Sequence, residues 1–385
     1  MEKAPLPPLM EYFSKIEDPR IDRNKDYPLI EVIVITILAV MAFAEGWEDI
    51  ETYGCAKEVW LRQFLPLRNG IPKHDVYRRV LSRLKPTAIE QCFMEWVRDI
   101  RQHTEREVIA VDGKTVKGSF NSRTETSPLH MVSAWATENR LVLGHVKTPD
   151  KSNEITTIPS LLELIALKGC IVTIDVMGCQ YKIANQIVAA EADYLFALKE
   201  NQSTLCQDVA EYFHDLDFSK PEPDILTDST FDVDHGRLER RSCAVSGTVG
   251  WLIERHPAWN TIKSFGVIQA MRETPLKTTT EQRFFISSLP PEPQLFAAAV
   301  RAHWGIENSL HYVLDVAFRE DASRIKVGYA PENWACFRKI ALTVARSDKQ
   351  SKKSIKSRVK QMAWSDLYLE RLLFRSAFTQ EKAQV

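Results

Sequence analysis

Two short apolar runs rich in β-branched residues, VIAVD (108–112) and CIVTID (170–175), each end on an aspartate and pass at once into glycine-containing turn sequence. Runs of this length bounded by turn formers read as buried strands. A carboxylate at the end of a hydrophobic strand is costly to desolvate unless a cation compensates it. Aspartate at a strand end is also a common turn former or helix cap, so neither residue decides alone. Their contexts are less ordinary: Asp112 runs into Gly113, Lys114 and Thr115, and Asp175 into a turn-like MGCQ ahead of an amphipathic segment.

A third acid, Glu307, lies in RAHWGIENSLHYVLDV. Helical periodicity there lets Val300, Trp304, His311 and Leu314 share faces. Two strand-end carboxylates plus one on a helix is how a hard divalent-cation site is built for phosphoryl transfer. Asp315, Glu320 and Asp321 are rival third acids. They rank lower because LDVAFRED lies further along; Asp315 is about two turns, or roughly 12 Å of rise, beyond Glu307.

The surrounding pattern predicts a mixed α/β chain. Residues up to about 105 read as helical: LIEVIVITILAVMAFA, VWLRQFLPL, HDVYRRVLSRL and AIEQCFMEWVRDI, punctuated by Pro66, Gly70 and Pro72. The first of these spans about sixteen residues and contains Glu31, short for a membrane span and too far in for a signal peptide, so it reads as a buried helix. A three-strand meander follows (VIAVDG, HMVSAWA, RLVLGHV), then helix, strand, helix and strand through NEITTIPSLLELIAL, CIVTID, CQYKIANQIVAAEA and DYLFAL. That order makes a mixed sheet with helices on its faces. After an acidic helix, SCAVSGTVGWLI, SFGVIQAMRET and QRFFISSL read as β pieces. The interval from Asp175 to Glu307 is far longer than a compact link needs, so an insertion is expected there. Gln294 to about Phe318 is expected to be one long helix. The expected division is 1–105 helical, 106–200 first part of the core, 201–290 insertion, 291–345 second part of the core, and 346–385 a basic helical tail.

Net charge is −1 over the 385 residues, so distribution matters more than the sum. From residue 320 onward basic residues outnumber acidic ones about two to one, densest in SDKQSKKSIKSRVK, whereas Asn201 to Asp234 is acidic. An anionic polymer would therefore be met at the C-terminal end. Arg78, Arg79, Arg83 and Lys85 form a second basic face, equally readable as solvated helix surface. The seven cysteines are scattered with no C-x-x-C pair, which fits a reduced cytoplasmic setting and no structural zinc.

VIAVDGKTVKGS, LHMVSAW, DKSNEITTIPSLLELIALKG, VTIDVMGCQ, DYLFALKENQ and RAHWGIENSLHYVLDVAFRED follow one another in order, after WEDIETYG and NGIPKHDVYRRV. In these motifs the chain resembles the H-repeat-associated transposases linked to Rhs elements, an ISAs-type group of DDE transposases, over nearly its whole length. The resemblance implies an RNase H-like core whose catalytic and metal-holding carboxylates are Asp112, Asp175 and Glu307. It implies Mg²⁺ or Mn²⁺, two ions, with Asp112 bridging them. It further implies end cleavage and strand transfer on DNA, a homo-oligomer on paired ends, no membrane, and a bacterial cytoplasm with nucleoid association. A nuclease that cuts without joining and a non-catalytic DNA-binding descendant are the alternatives. Val176, Lys117 and Tyr312 depart from the commoner Ala, Arg and Trp. The tyrosine–arginine–glutamate–lysine signature of hairpin-forming relatives is not intact, its other positions holding Val300, His303 and Leu314.

Candidate DNA contacts are Lys114 and Lys117, which read equally as surface lysines. His235, Arg237 and Arg240 in DHGRLERR read equally as a charged turn. His303 and Asn308, beside Glu307, could orient it or a phosphate. Lys151, Asn153 and Glu154 match the family in KSNEIT, although Glu154 also suits a helix cap. Trp304 is expected to pack in the core.

Overall fold

Strands alternate their side chains between two faces, and along VIAV (108–111) and IVTI (171–174) every residue is buried, so the middle of the sheet is covered on both sides. The computed structural model describes residues 6–21, 25–120, 125, 127–148, 154–234, 237–274 and 277–374. Its nine strands are β1 Val108–Val116, β2 Leu129–Ala136, β3 Leu141–Thr148, β4 Ile171–Ile174, β5 Asp193–Leu198, β6 Ile225–Asp234, β7 Arg237–Ser246, β8 Ser264–Thr274 and β9 Lys277–Ser287. They form one mixed sheet in the order β3-β2-β1-β4-β5-β9-β8-β7-β6. β1 and β4 are parallel, as are β4 and β5, and the remaining neighbours are antiparallel.

Val108, Ile171, Leu195, Val245 and Phe285 point to one face, where Phe296 and Ala299 of helix Pro293–His303 cover them. Their neighbours Ile109, Val172, Phe196, Ala244 and Ile286 point to the other face and join the main core. There, helices Pro86–Ile100 and Glu154–Glu163 lie over β3. The meander, the parallel β4 and β5 and the intervening helices match the pattern expected from sequence.

Helix Leu29–Met41 is buried along nearly its whole length, as its unbroken apolar run requires. Its single acid, Glu31, accepts a 2.8 Å hydrogen bond from the Leu67 amide. Helix Ala330–Ser347 packs against it and is also buried on nearly every side. Part of the C-terminal basic excess is therefore internal: Arg338 and Lys339 are buried, and burial lowers both their pKa values. Arg358 donates to the carbonyls of Ala345, Asp348 and Ser351 and so satisfies the end of that helix.

ILTDSTFDVD forms β6, a strand that the apolar pattern does not announce, and two local expectations are corrected. TVGWLI includes helix Gly250–Arg255 rather than strand. The stretch from Gln294 to Phe318 is not one regular helix. Helix Pro293–His303 gives way to a wide π-helical turn, Ile306–His311, before helix Tyr312–Phe318.

Candidate active site

Val111 of β1 lies opposite Ile174 of β4 in the parallel register. The next residue of each strand is an aspartate, so Asp112 and Asp175 stand side by side where the two strands diverge. β1 continues antiparallel to β2, with Asp112 opposite Ser133. Beyond β4 the chain turns into a short 3-10 turn, Val176–Gly178, and the Asp175 carboxylate caps it by accepting from the Gly178 amide at 3.3 Å. Asp175 is thus both a cap and a neighbour of Asp112.

Asp112 carries the electrostatic load. Its pKa is pushed up to about 7, first by burial and then by the charge of Asp175, with Glu154 and Glu307 adding to it. A single hydrogen bond from the Gly113 amide, 2.8 Å, opposes this. A buried acid raised in this way by neighbouring carboxylates is the pattern of a candidate cation site.

The π-helical turn supplies the other side. Turns of this kind are rare and occur mostly as local bulges, often at functional sites. Here the turn holds Glu307 and His311 over β1. His311 Nδ1 lies 3.1 Å from Glu307 Oε2 and 3.4 Å from Asp112 Oδ2. Donor atoms of Asp112, Glu307 and His311 all fall within 4.8 Å of one another, close enough to share one ion. Glu307 is 58% exposed and faces solvent, whereas the His311 side chain is only 5% exposed and burial lowers its pKa. A neutral imidazole beside two carboxylates suits a divalent ion, and the residues present fit one. Asp175 lies outside that close set and acts on Asp112 through its charge.

Glu154 and His130 form a buried pair at 2.6 Å, and Thr115 Oγ1 holds the other ring nitrogen at 2.7 Å. Glu154, the first residue of its helix, is thus bound to a histidine of β2. Gly113 makes room for this: a Cβ there would stand 2.3 Å from Glu154 Oε1 and 2.8 Å from His130 Nε2.

The other sequence candidates fall in different places. Lys114 is 11% exposed and turned inward to Asp315 and Glu320, the latter at 3.3 Å. Asp315 and Glu320, the rival acids, are thus both paired with Lys114. Lys117 is exposed and sits 3.3 Å from Asp321. His303 Nδ1 pairs with Thr173 Oγ1 at 3.0 Å, and burial pushes its pKa down to about 4, so it carries no charge to offer a phosphate. Asn308 is exposed and donates to the Trp304 carbonyl. Arg240 is exposed on β7 between Phe231 and Met271. Arg237 begins β7; His235, Lys151 and Asn153 lie outside the described residues. Trp304 is not core: it is 48% exposed, with the Arg283 guanidinium 5.0 Å from its ring. Sequence reasoning passed over His311 as a functional residue, although a histidine four positions after an acid on a helical segment is a readable signal.

A mixed sheet with two acids at neighbouring parallel strand ends, faced by an acid and a histidine on an irregular helix, defines an α/β protein with a candidate divalent-metal centre. The model of the Transposase DDE domain matches residues 103–344, and that of the DDE_Tnp_1-associated region matches residues 10–97. "Putative transposase YncI" of Escherichia coli O157:H7 is 40% identical, covering 95% of this chain and 94% of its own. "H repeat-associated putative transposase YhhI" of Escherichia coli strain K12 is 37% identical, covering 97% of this chain and all of its own. The chain belongs to the DDE transposase family, in its H-repeat-associated group, and is an insertion-sequence-type transposase. A solved piggyBac transposase synaptic complex with hairpin DNA aligns with a TM-score of 0.43 and 11% identity, over 98% of this chain and 86% of that one. At that level the likeness decides nothing about the site.

Proposed function

We infer that this transposase cuts DNA at the ends of its element and joins the freed 3′ ends to target DNA, using Asp112, Asp175 and Glu307 to hold divalent cations, Mg²⁺ or Mn²⁺. The observation that carries the reading is that Asp112 of β1 shares a close donor set with Glu307 of the π-helical turn and feels the charge of Asp175, the residue after β4. The strand order β3-β2-β1-β4-β5, with β2 alone running against β1, β3, β4 and β5, supports an RNase H-like core.

Bound divalent ions supply the chemistry that a resistant phosphodiester needs, activating the attacking oxygen and stabilising the leaving one. Asp112, central and hardest to leave ionised without a cation, would be the main residue to hold such ions. Asp175, fixed by its cap on the Gly178 amide, would contribute a second carboxylate. Glu307, solvent-facing, would contribute a third and remain accessible to DNA. No nucleophilic side chain is required, because water and then the 3′-hydroxyl serve as attacking groups.

The parts divide as the sequence pattern suggests. Residues 1–105 bind element ends, 106–200 and 291–345 make the catalytic core, 201–290 are an insertion that extends the sheet through β9, and 346–385 form a basic tail. A homo-oligomer on paired ends, able to cut both together, completes the reading. Among the described residues no helix is long and apolar enough to cross a membrane.

The test is a Mg²⁺- or Mn²⁺-dependent cleavage and strand-transfer assay on the gene's own flanking DNA. Asp112→Asn, Asp175→Asn and Glu307→Gln should each lose about a thousandfold or more, equivalent to roughly 4 kcal/mol of transition-state stabilisation. Cutting without joining would replace the transposition reading with that of a nuclease. End binding without metal-dependent cutting would sink the catalytic assignment.

A further inference from the structure

The metal reading leaves one well-placed residue unused. His311 lies four positions after Glu307 on the π-helical turn, and its Nδ1 is within 3.4 Å of carboxylate oxygens from both Asp112 and Glu307. It is not a surface histidine that happens to pass by: its side chain is almost fully buried.

Its far nitrogen gives a second observation. His311 Nε2 and Glu320 Oε1 are both buried and both without a hydrogen-bond partner among the described residues. Lys114 Nζ, 3.3 Å from Glu320 Oε2, donates to the His311 carbonyl at 3.3 Å and so ties the backbone of the turn to β1. An orphaned buried ring nitrogen is costly unless something changes its pairing. An imidazole that binds an ion through Nδ1 carries its proton on Nε2, which fixes the tautomer that puts the Nδ1 lone pair toward Asp112 and Glu307.

We propose that His311 is a fourth protein ligand of the metal centre, binding through Nδ1 the ion shared by Asp112 and Glu307. This rests on the reading of Asp112 and Glu307 as ion-holding residues. It deepens that reading, because a nitrogen donor tilts an all-oxygen site away from Mg²⁺ and toward transition-metal ions such as Mn²⁺. The irregular helix is then explained, since the π-helical turn presents a carboxylate and an imidazole to one point.

The test is pulsed EPR on the full chain loaded with Mn²⁺, which detects nitrogen bound to the ion without any turnover. Wild-type protein should show nitrogen modulation that changes when histidine is supplied with heavy-isotope nitrogen, an arm that needs no variant. His311→Gln, checked for an unchanged circular dichroism spectrum, should lose the modulation. It should also bind Mn²⁺ about tenfold more weakly or worse, with a smaller loss for Mg²⁺. Mn²⁺ bound in wild type with no nitrogen modulation would overturn the proposal and leave the three-carboxylate site standing. Mn²⁺ binding no stronger than in Asp112→Asn would overturn both.

Discussion

Asp112 Oδ2 lies 3.4 Å from His311 Nδ1, joining the first strand of the sheet to a helix near the far end of the sequence. The contact has a cost on each side. Asp112 is held near an apolar strand among other acids, and His311 is held neutral by burial. Neither arrangement serves stability, and both suit the cation proposed for this site. Strain of this kind is what active sites retain against the interest of the fold.

Asp112→Asn should therefore stabilise the metal-free protein. With the carboxyl raised to about 7, keeping it ionised at pH 8 opposes folding, and removing the charge should return roughly 1–3 kcal/mol. Urea unfolding at pH 8 with a chelator reads this directly. The same variant should lose the stabilisation that Mn²⁺ gives the wild type. A variant less stable than wild type without metal would mean that Asp112 is a structural residue.

Lys114 makes the opposite case. Its ammonium sits between Asp315 and Glu320, so removing it leaves two carboxylates facing one another, one of them deeply buried. Lys114→Met should cost about 3 kcal/mol or more of unfolding free energy. It should leave the salt dependence of DNA binding by the folded protein unchanged. A shallower salt slope with normal stability would restore Lys114 to the DNA-contacting set.

What could be read in advance divides along physical lines. The strands carrying Asp112 and Asp175 were legible because burial on two faces leaves a continuous apolar run, and a charge at its end stands out. β6 was not, since none of its described residues is buried and no continuous apolar run marks it. The π-helical turn left no mark, because HWGIENSLHY keeps ordinary helical spacing and one residue of extra winding is set by packing. Trp304 was misplaced for a related reason: the change of winding just beyond it turns the ring outward onto Arg283. Lys114 had no local sign of its partners, which arrive from Asp315 and Glu320 by tertiary folding alone.

Gly113→Ala should separate space from chemistry at the site. Its Cβ would collide with the Glu154–His130 pair, which is buried and bonded on both sides. Moving that pair should cost about 1–3 kcal/mol. Cleavage should fall with it, because the same residue's amide holds Asp112. Thermal melts and cleavage rates of this single variant check both, and a neutral result would mean that Glu154 gives way easily.

The basic C-terminal region should bind phosphate through its lysines and not through Arg358, which is committed to helix-end carbonyls. Lys352, Lys353 and Lys356 are exposed. Changing all three to glutamine should lower the slope of log K against log salt by about 2–3 if each meets one phosphate. Arg358→Gln should instead destabilise the fold, with the slope unaltered. Equal slopes in wild type and the triple variant would move the DNA contact elsewhere.

Glu90 gives a pH dependence that is independent of the metal centre. Burial against β3 pushes its pKa up to about 7; Lys339 opposes this and Glu332 adds to it. His145, 3.5 Å away, offers no positive charge, since burial drives its pKa well down. The folded protein thus holds the Glu90 proton more tightly than the unfolded chain, whose glutamates titrate near 4.3. The resulting stability is fully present below that value and is lost as pH rises through about 7. Wild-type unfolding free energy should decline by roughly 1–3 kcal/mol on this account between pH 4.5 and 8. Glu90→Gln, neutral throughout, should remove that part of the decline and be the more stable protein at pH 8. Parallel pH profiles for the two would show that Glu90 stays ionised in the fold, with Lys339 as its full partner.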